Sequence, residues 1–456
     1  MPAKGPIVSS SPLLRKTFVA FLAPMMLGNI LQSLFGTINN IYLGQLIGVD
    51  ALAAVSVFFP VMFFFMALIM GLSSGATVLI GQAFGAGRPD QVRAIAGTAL
   101  WLALVLAAAI AAIGGLFARD LVRALGTPAE IADPAASYAG IMMMAMPLFF
   151  SFMLLNAMLR GVGDAVTPLV ALAISTAIGL VATPALILGW LGLPRLGIVS
   201  AAWGSVASSL VTFAWLALHL RRRNHVLAFD AALLRAMRPN LALLPTILRL
   251  GVPAALGMVV MSLAELVLLG LVNGFGPEAT ASYGAVNQVL SCVQFPALSI
   301  AISVSILGAQ AIGRDDPRQI GAIVRTGIEM NLILTGALVV LGYVFSETVI
   351  GLFIVDAAVL AQAQTLLRIV LWSTVLFGMA TVFSGAMRAG GTVWPPLAIS
   401  IVAISAIEVP SAIVLSRSIG IAGVWAAYPI AFTAMFVLQM GYYVLVWRKR
   451  AVRRLI

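Results

Sequence analysis

Long apolar stretches, broken by short polar ones, run from one end of the chain to the other. Each is long enough to cross the roughly 30 Å hydrocarbon core of a bilayer as a helix. None shows the short period-two alternation of a barrel strand. Length and apolarity predict about twelve spanning helices. The first six cover 15–43, 50–83, 92–117, 133–158, 165–190 and 197–219. The second six cover 248–274, 279–312, 320–345, 360–387, 394–416 and 420–446.

Against that background the informative positions are polar residues at membrane depth. The first span carries Asn29, Gln32, Ser33, Asn39 and Asn40 at near-helical spacing. Lipid cannot satisfy those groups, so they look into the bundle or a wet cavity. Hydrogen bonding between helices is the competing reading. On the eighth span Tyr283, Asn287, Ser291 and Gln294 repeat the design, and the same two readings stand. Three carboxylates fall inside predicted spans. Glu265 is the deepest, and no nearby Arg or Lys in sequence neutralises it. A bare charge there costs several kcal/mol, so such an acid binds a cation or carries a proton. Glu408 precedes Pro410, which frees a helix carbonyl; it is a second proton site or a packed polar residue. Glu329 follows Arg325 and reads as its interfacial partner. Pro24, Pro60, Pro147, Pro184, Pro253, Pro296 and Pro410 sit within spans, as kinks or hinges.

The pattern is written twice, at an offset of 228, half of the 456 residues. GQAFGAGRPDQVRAIAGT returns as AQAIGRDDPRQIGAIVRT, pairing Gln82 with Gln310, Gly85 with Gly313, Pro89 with Pro317 and Thr98 with Thr326. Arg160, Gly163 and Pro168 return as Arg388, Gly391 and Pro396. The expected organisation is a six-helix lobe over 1–220, a linker over 221–247 and a second lobe over 248–456. Duplicated apolar halves are a common build of alternating-access carriers.

Composition agrees: 62% of residues are hydrophobic and 9% charged. The net charge of +11 could suggest nucleic acid, but its placement excludes that. All but five of the 26 Lys and Arg fall at the termini or in even-numbered loops, from Lys4 to Arg453 and Arg454. That asymmetry predicts cytoplasmic termini. The first apolar run reads as a retained span rather than a cleaved leader. The linker mixes Phe229, Leu233, Leu234 and Met237 with Arg235 and Arg238, a pattern for a short surface helix or a plain connection. His219 and His225 lie there without a third ligand, so no metal site is expected. Cys292 is the lone cysteine. No P-loop, Ser/His/Asp set or Cys/His cluster is present, which argues against ATP hydrolysis and against an intramembrane enzyme.

APMMLGNILQSLFGTINNIYLGQL, GVDALAAVSVFFP, GQAFGAGRP, LRGVGDAVTP, GVPAALG, ILGAQAIGRDDP and AMRAGGTVWPP follow one another along the chain. In that order and spacing they resemble the multidrug and toxic compound extrusion family. The resemblance implies an all-α membrane protein of about twelve helices in two pseudo-symmetric lobes around a central cavity. It implies a monomeric bacterial inner-membrane exporter of small organic, mainly cationic molecules, driven by inward H⁺ or Na⁺, with no other cofactor. Membrane lipids are the other expected partner. Many prokaryotic members carry a first-span Asp five residues before the closing Gly; counting back from Gly44 gives Asn39. Another branch uses a seventh-span Glu, matched by Glu265 about one turn late. That branch's tenth-span Asp has no match in LWSTVLFGMATVF. Glu265 and Glu408 are thus the expected cation-coupling residues. Asn29, Gln32, Asn39, Asn40, Tyr283, Asn287, Ser291 and Gln294 are the expected cavity lining. A lipid or lipid-linked oligosaccharide flippase of the same superfamily is the alternative, though it would want a more cationic cavity.

Overall fold

The computed structural model describes residues 11–192, 194–351, 356–450 and 454–456. Lys4 and Arg453, counted above in the charge asymmetry, lie outside the described residues. The described regular elements are all helical. In the first half they are α1 (Ser11–Leu46), α2 (Val49–Gly85), α3 (Pro89–Ala124), α4 (Ala129–Met144), α5 (Met146–Gly161), α6 (Val166–Leu188) and α7 (Ser200–Arg222). A short α8 (Ala231–Ala236) follows. The second half holds α9 (Leu244–Asn273), α10 (Pro277–Gly313), α11 (Gln319–Val344), α12 (Ser346–Gly351), α13 (Ala357–Val370) and α14 (Ser373–Ala389). It ends with α15 (Trp394–Ile401), α16 (Val409–Ile419) and α17 (Ile421–Leu445).

Among the described residues ten helices are long and apolar enough to cross a membrane, or twelve if each of two bent pairs is one span. The bent pairs are α4 with α5, at 50°, and α13 with α14, at 42°. They are the fourth and tenth spans, so the break recurs in both halves. Its cause differs. Pro147 stands at the start of α5, where its ring cannot continue the α4 hydrogen-bond ladder. The second break has no proline. There Ser373 and Thr374 donate to the carbonyls of Val370 and Leu371, at 2.6 Å each. Asn331 of α11, fully buried, donates to the Val375 carbonyl at 3.0 Å and accepts from Thr335 at 2.9 Å. Gly378 makes room: a Cβ there would collide with the Asn331 amide. Pro24, Pro60, Pro184, Pro253 and Pro296 run inside continuous helices, so they do not break their spans.

The chain divides into two compact units: Ala23–Phe84 with Arg88–Val252, and Met1–Leu22 with Gly85–Gly87 and Pro253–Ile456. In the first, Phe35 of α1 packs into the space left by Gly179 of α6, where a Cβ would sit 2.5 Å from the ring. The linker belongs to this unit. Asp230 caps α8, accepting the Leu233 N–H at 2.8 Å, and pairs with Arg93 of α3 at 3.5 Å. Leu233 is buried while Leu234 is exposed, so of the two readings of the linker a short helix forms, with one apolar anchor. In the second unit a core of aliphatic side chains from α9, α10, α13 and α17 surrounds Trp425, Tyr428 and Phe432.

Candidate functional site

The second unit holds a polar group within its spans, and two close approaches explain where it forms. Gly257 on α9 lets Leu397 of α15 approach; a Cβ at Gly257 would lie 3.1 Å from the leucine methyl. Farther along, Phe275, just past the end of α9, reaches Gly420, just past the end of α16. The two spans therefore run side by side in the same direction, and Glu265 and Glu408 fall between those contacts. The eleventh span is not a uniform α-helix. Val402–Glu408 widens into a π turn, with the Val409 N–H bonded five residues back to the Ile404 carbonyl. Pro410, the next residue, supplies no N–H to the ladder. A π turn inserts a residue and re-aims those around it. Glu408 is its last residue and is buried, 5% exposed.

Glu265 and Glu408 interact electrostatically with each other and with the hydroxyls of Tyr283 on α10 and Tyr428 on α17. The two phenols share a hydrogen bond of 3.1 Å, and Tyr283 also bonds the Asn287 side chain one turn along. Trp425 stacks on Tyr428, with centroids 5.5 Å apart, and packs at a tilt against Tyr283, at 5.1 Å. Its Nε1 is enclosed without a hydrogen-bond partner. Glu265, unlike Glu408, is exposed. The pair thus has one accessible acid and one sealed acid. Among the described residues neither makes an ion pair; the pairs present are Arg15–Glu329, Arg93–Asp230, Arg119–Asp133, Arg325–Glu329 and Arg454–Asp315. Glu329 is held by Arg325 as expected, and by Arg15 as well.

The structure therefore brings together Glu265, Glu408, Tyr283 and Asn287. Ser291 lies one turn beyond, exposed, donating to the Asn287 carbonyl at 2.9 Å, and Gln294 is half-buried farther along α10. The first-span residues belong to the other unit. There Gln32 and Asn40 are exposed, Asn29 and Asn39 half-buried. Asn39 Oδ1 is enclosed without a partner. Sequence reasoning missed Tyr428, Trp425 and Asn331. A weak signal for the first two existed: two aromatics with polar tips, one turn apart, beside Pro429 in an otherwise apolar span. Among the described residues no group of three His, Cys, Asp or Glu could hold a metal ion.

The architecture is that of a polytopic helical membrane protein, and similarity to known proteins specifies which kind. The MatE family model matches residues 24–185 and 253–414, once in each half, with Pro24 and Pro253 opening the matches. The chain belongs to that family. It is 43% identical over 449 residues to the probable multidrug resistance protein YoeA of Bacillus subtilis, covering 98% of this chain and 97% of that one. It is 24% identical over 444 residues to the probable multidrug resistance protein NorM of Thermotoga maritima, covering 97% and 95%. Two solved structures share the fold. One is an outward-facing multidrug resistance MATE family transporter of the MOP superfamily, with TM-score 0.87, 24% identity and 97% and 98% coverage. The other is a variant of the Vibrio cholerae MATE transporter VcmN, with TM-score 0.89, 20% identity and 97% and 99% coverage.

Proposed function

We propose that this protein exports small organic molecules, mainly cations, in exchange for inward H⁺ or Na⁺, and that Glu265 and Glu408 carry the coupling ion. The observation behind this reading is the acid pair with no basic partner, set against two hydrogen-bonded phenols. Two carboxylates that feel each other in an apolar bundle repel unless a proton or a cation offsets one of them. Glu265 is the accessible member and exchanges the ion; Glu408 is the enclosed member and holds it. The Tyr283 and Tyr428 hydroxyls add neutral oxygens that can donate to a carboxylate or face a cation. Occupancy of the pair shifts the balance between two conformations, which requires that the ion bind one of them more tightly. Export, rather than uptake, is supported by the multidrug resistance names of the relatives.

The protein acts as a monomer in the bacterial inner membrane, and the placement of its basic residues favours cytoplasmic termini. Purified protein in proteoliposomes tests the core of this. A fluorescent organic cation should be transported under an imposed pH or Na⁺ gradient, and applying each alone identifies the ion. Glu265→Gln should abolish gradient-driven transport while the folded yield holds. Full activity in that variant removes the acid pair from the mechanism.

A further inference from the structure

Away from the acid pair, a groove of about 370 Å³ lies between α11 and the end of α17. Its lining is Gly321, Val324, Arg325, Ile328 and Glu329 of α11, with Tyr443 and Arg448. Gly321 keeps it open, since nothing lies within 4 Å of the position a Cβ would take. Tyr443 forms a fixed wall: its ring stacks on Trp447 at 5.4 Å and packs on Phe383 at 5.1 Å. Trp447 is anchored in turn by donating to the Thr392 hydroxyl at 3.0 Å.

Charge in the groove is unbalanced. Glu329 is engaged by Arg15 at 2.7 Å and by Arg325 at 3.2 Å, so its charge is already answered. Arg448 has no carboxylate within ion-pair distance among the described residues. Three arginines therefore surround one acid. The lining comes from the first turns of α11 and the chain just past α17. Arg325 and Arg448 are exposed at that end, Val324 is buried beside them, and half-buried Ile328 lies one turn farther into the span. Basic grooves between spans, at the level of the lipid headgroups, attract acidic lipid. Guanidinium matches phosphate geometry in two-point hydrogen bonding.

The geometry points to a binding site for an acidic phospholipid. Its phosphate sits between Arg325 and Arg448, its glycerol backbone over Gly321 and Tyr443, and an acyl chain along Ile328. The site stands whether or not the transport reading above holds.

Native mass spectrometry of the full chain tests it, titrating phosphatidylglycerol against phosphatidylcholine of the same acyl chains. Wild type should retain phosphatidylglycerol with a preference of about tenfold. The double variant Arg325→Gln/Arg448→Gln should lose that preference. Gly321→Leu should lose it too, because it fills the groove with every charge intact, and it decides the matter if the double variant fails to fold. Lys449→Gln, a neighbouring charge outside the groove, should leave it unchanged. Excess inorganic phosphate should not displace the lipid; displacement would reassign the groove to free phosphate. An unchanged preference in Gly321→Leu, or an equal loss in Lys449→Gln, overturns the proposal in favour of diffuse surface attraction.

Discussion

At the 228-residue offset, Glu265, Tyr283, Glu408 and Tyr428 of the second half correspond to Thr37, Val55, Leu180 and Ser200 of the first. The offset of the family match, from Pro24 to Pro253, gives Gly36, Ala54, Gly179 and Val199 instead. Neither alignment puts an acid or a phenol in the first half. The broken fourth and tenth spans make a second contrast. The bend is kept in both halves, yet Pro147 causes one and Asn331, Ser373 and Thr374 support the other. Shape is thus held across the duplication by whatever residues will do it, because a bend can be made in several ways. A cluster of two acids and two phenols cannot be substituted so freely, and at these positions it stands in the second half alone.

The sharpest challenge to this asymmetry is removal of the acids. Glu265→Gln combined with Glu408→Gln should abolish ion-driven transport in proteoliposomes. Thr37→Val at the matching first-half position should leave transport intact, and an equal loss there would break the comparison. Next comes packing around the phenols. Trp425→Ala removes a fully buried ring and should cost about 3 kcal/mol in detergent unfolding. Its counterpart Gly197 has no side chain to lose.

The two breaks can be separated in the same way. Asn331→Leu strands the Val375 carbonyl and should cost about 1–3 kcal/mol. Pro147→Ala should instead straighten the first break, read as a lengthened distance between spin labels on α4 and α5. Tyr283→Phe deletes the 3.1 Å phenol contact and should cost about 1 kcal/mol or less. It should shift the ion dependence of transport without ending it.

The smallest effect concerns the linker. Asp230 sits below its ordinary 3.8 because it accepts the Leu233 N–H, with Arg93 reinforcing this. The contribution to α8 is therefore full above that ordinary value and is lost as pH falls through the lower folded one. A spin label on α8 should gain mobility only under such acid conditions, and Asp230→Asn should weaken the dependence.

Much of this protein is legible in one dimension. Apolar runs long enough to span a bilayer, repeated at half the chain length, required a duplicated helical membrane protein. The charge pattern and the isolated Glu265 and Glu408 were visible for a related reason: in so apolar a chain every polar group at depth stands out. These are local properties, fixed by what lipid tolerates along a single helix. The pairing of Glu265 with Glu408 is not local. It depends on Gly257 admitting Leu397 and on a π turn whose extra residue no hydrophobic period announces. The phenols of Tyr283 and Tyr428 meet only because α10 and α17 pack together, and Asn331 serves a break in a different span. Tertiary packing decided those contacts, since which faces meet depends on the fit of side chains far apart in sequence.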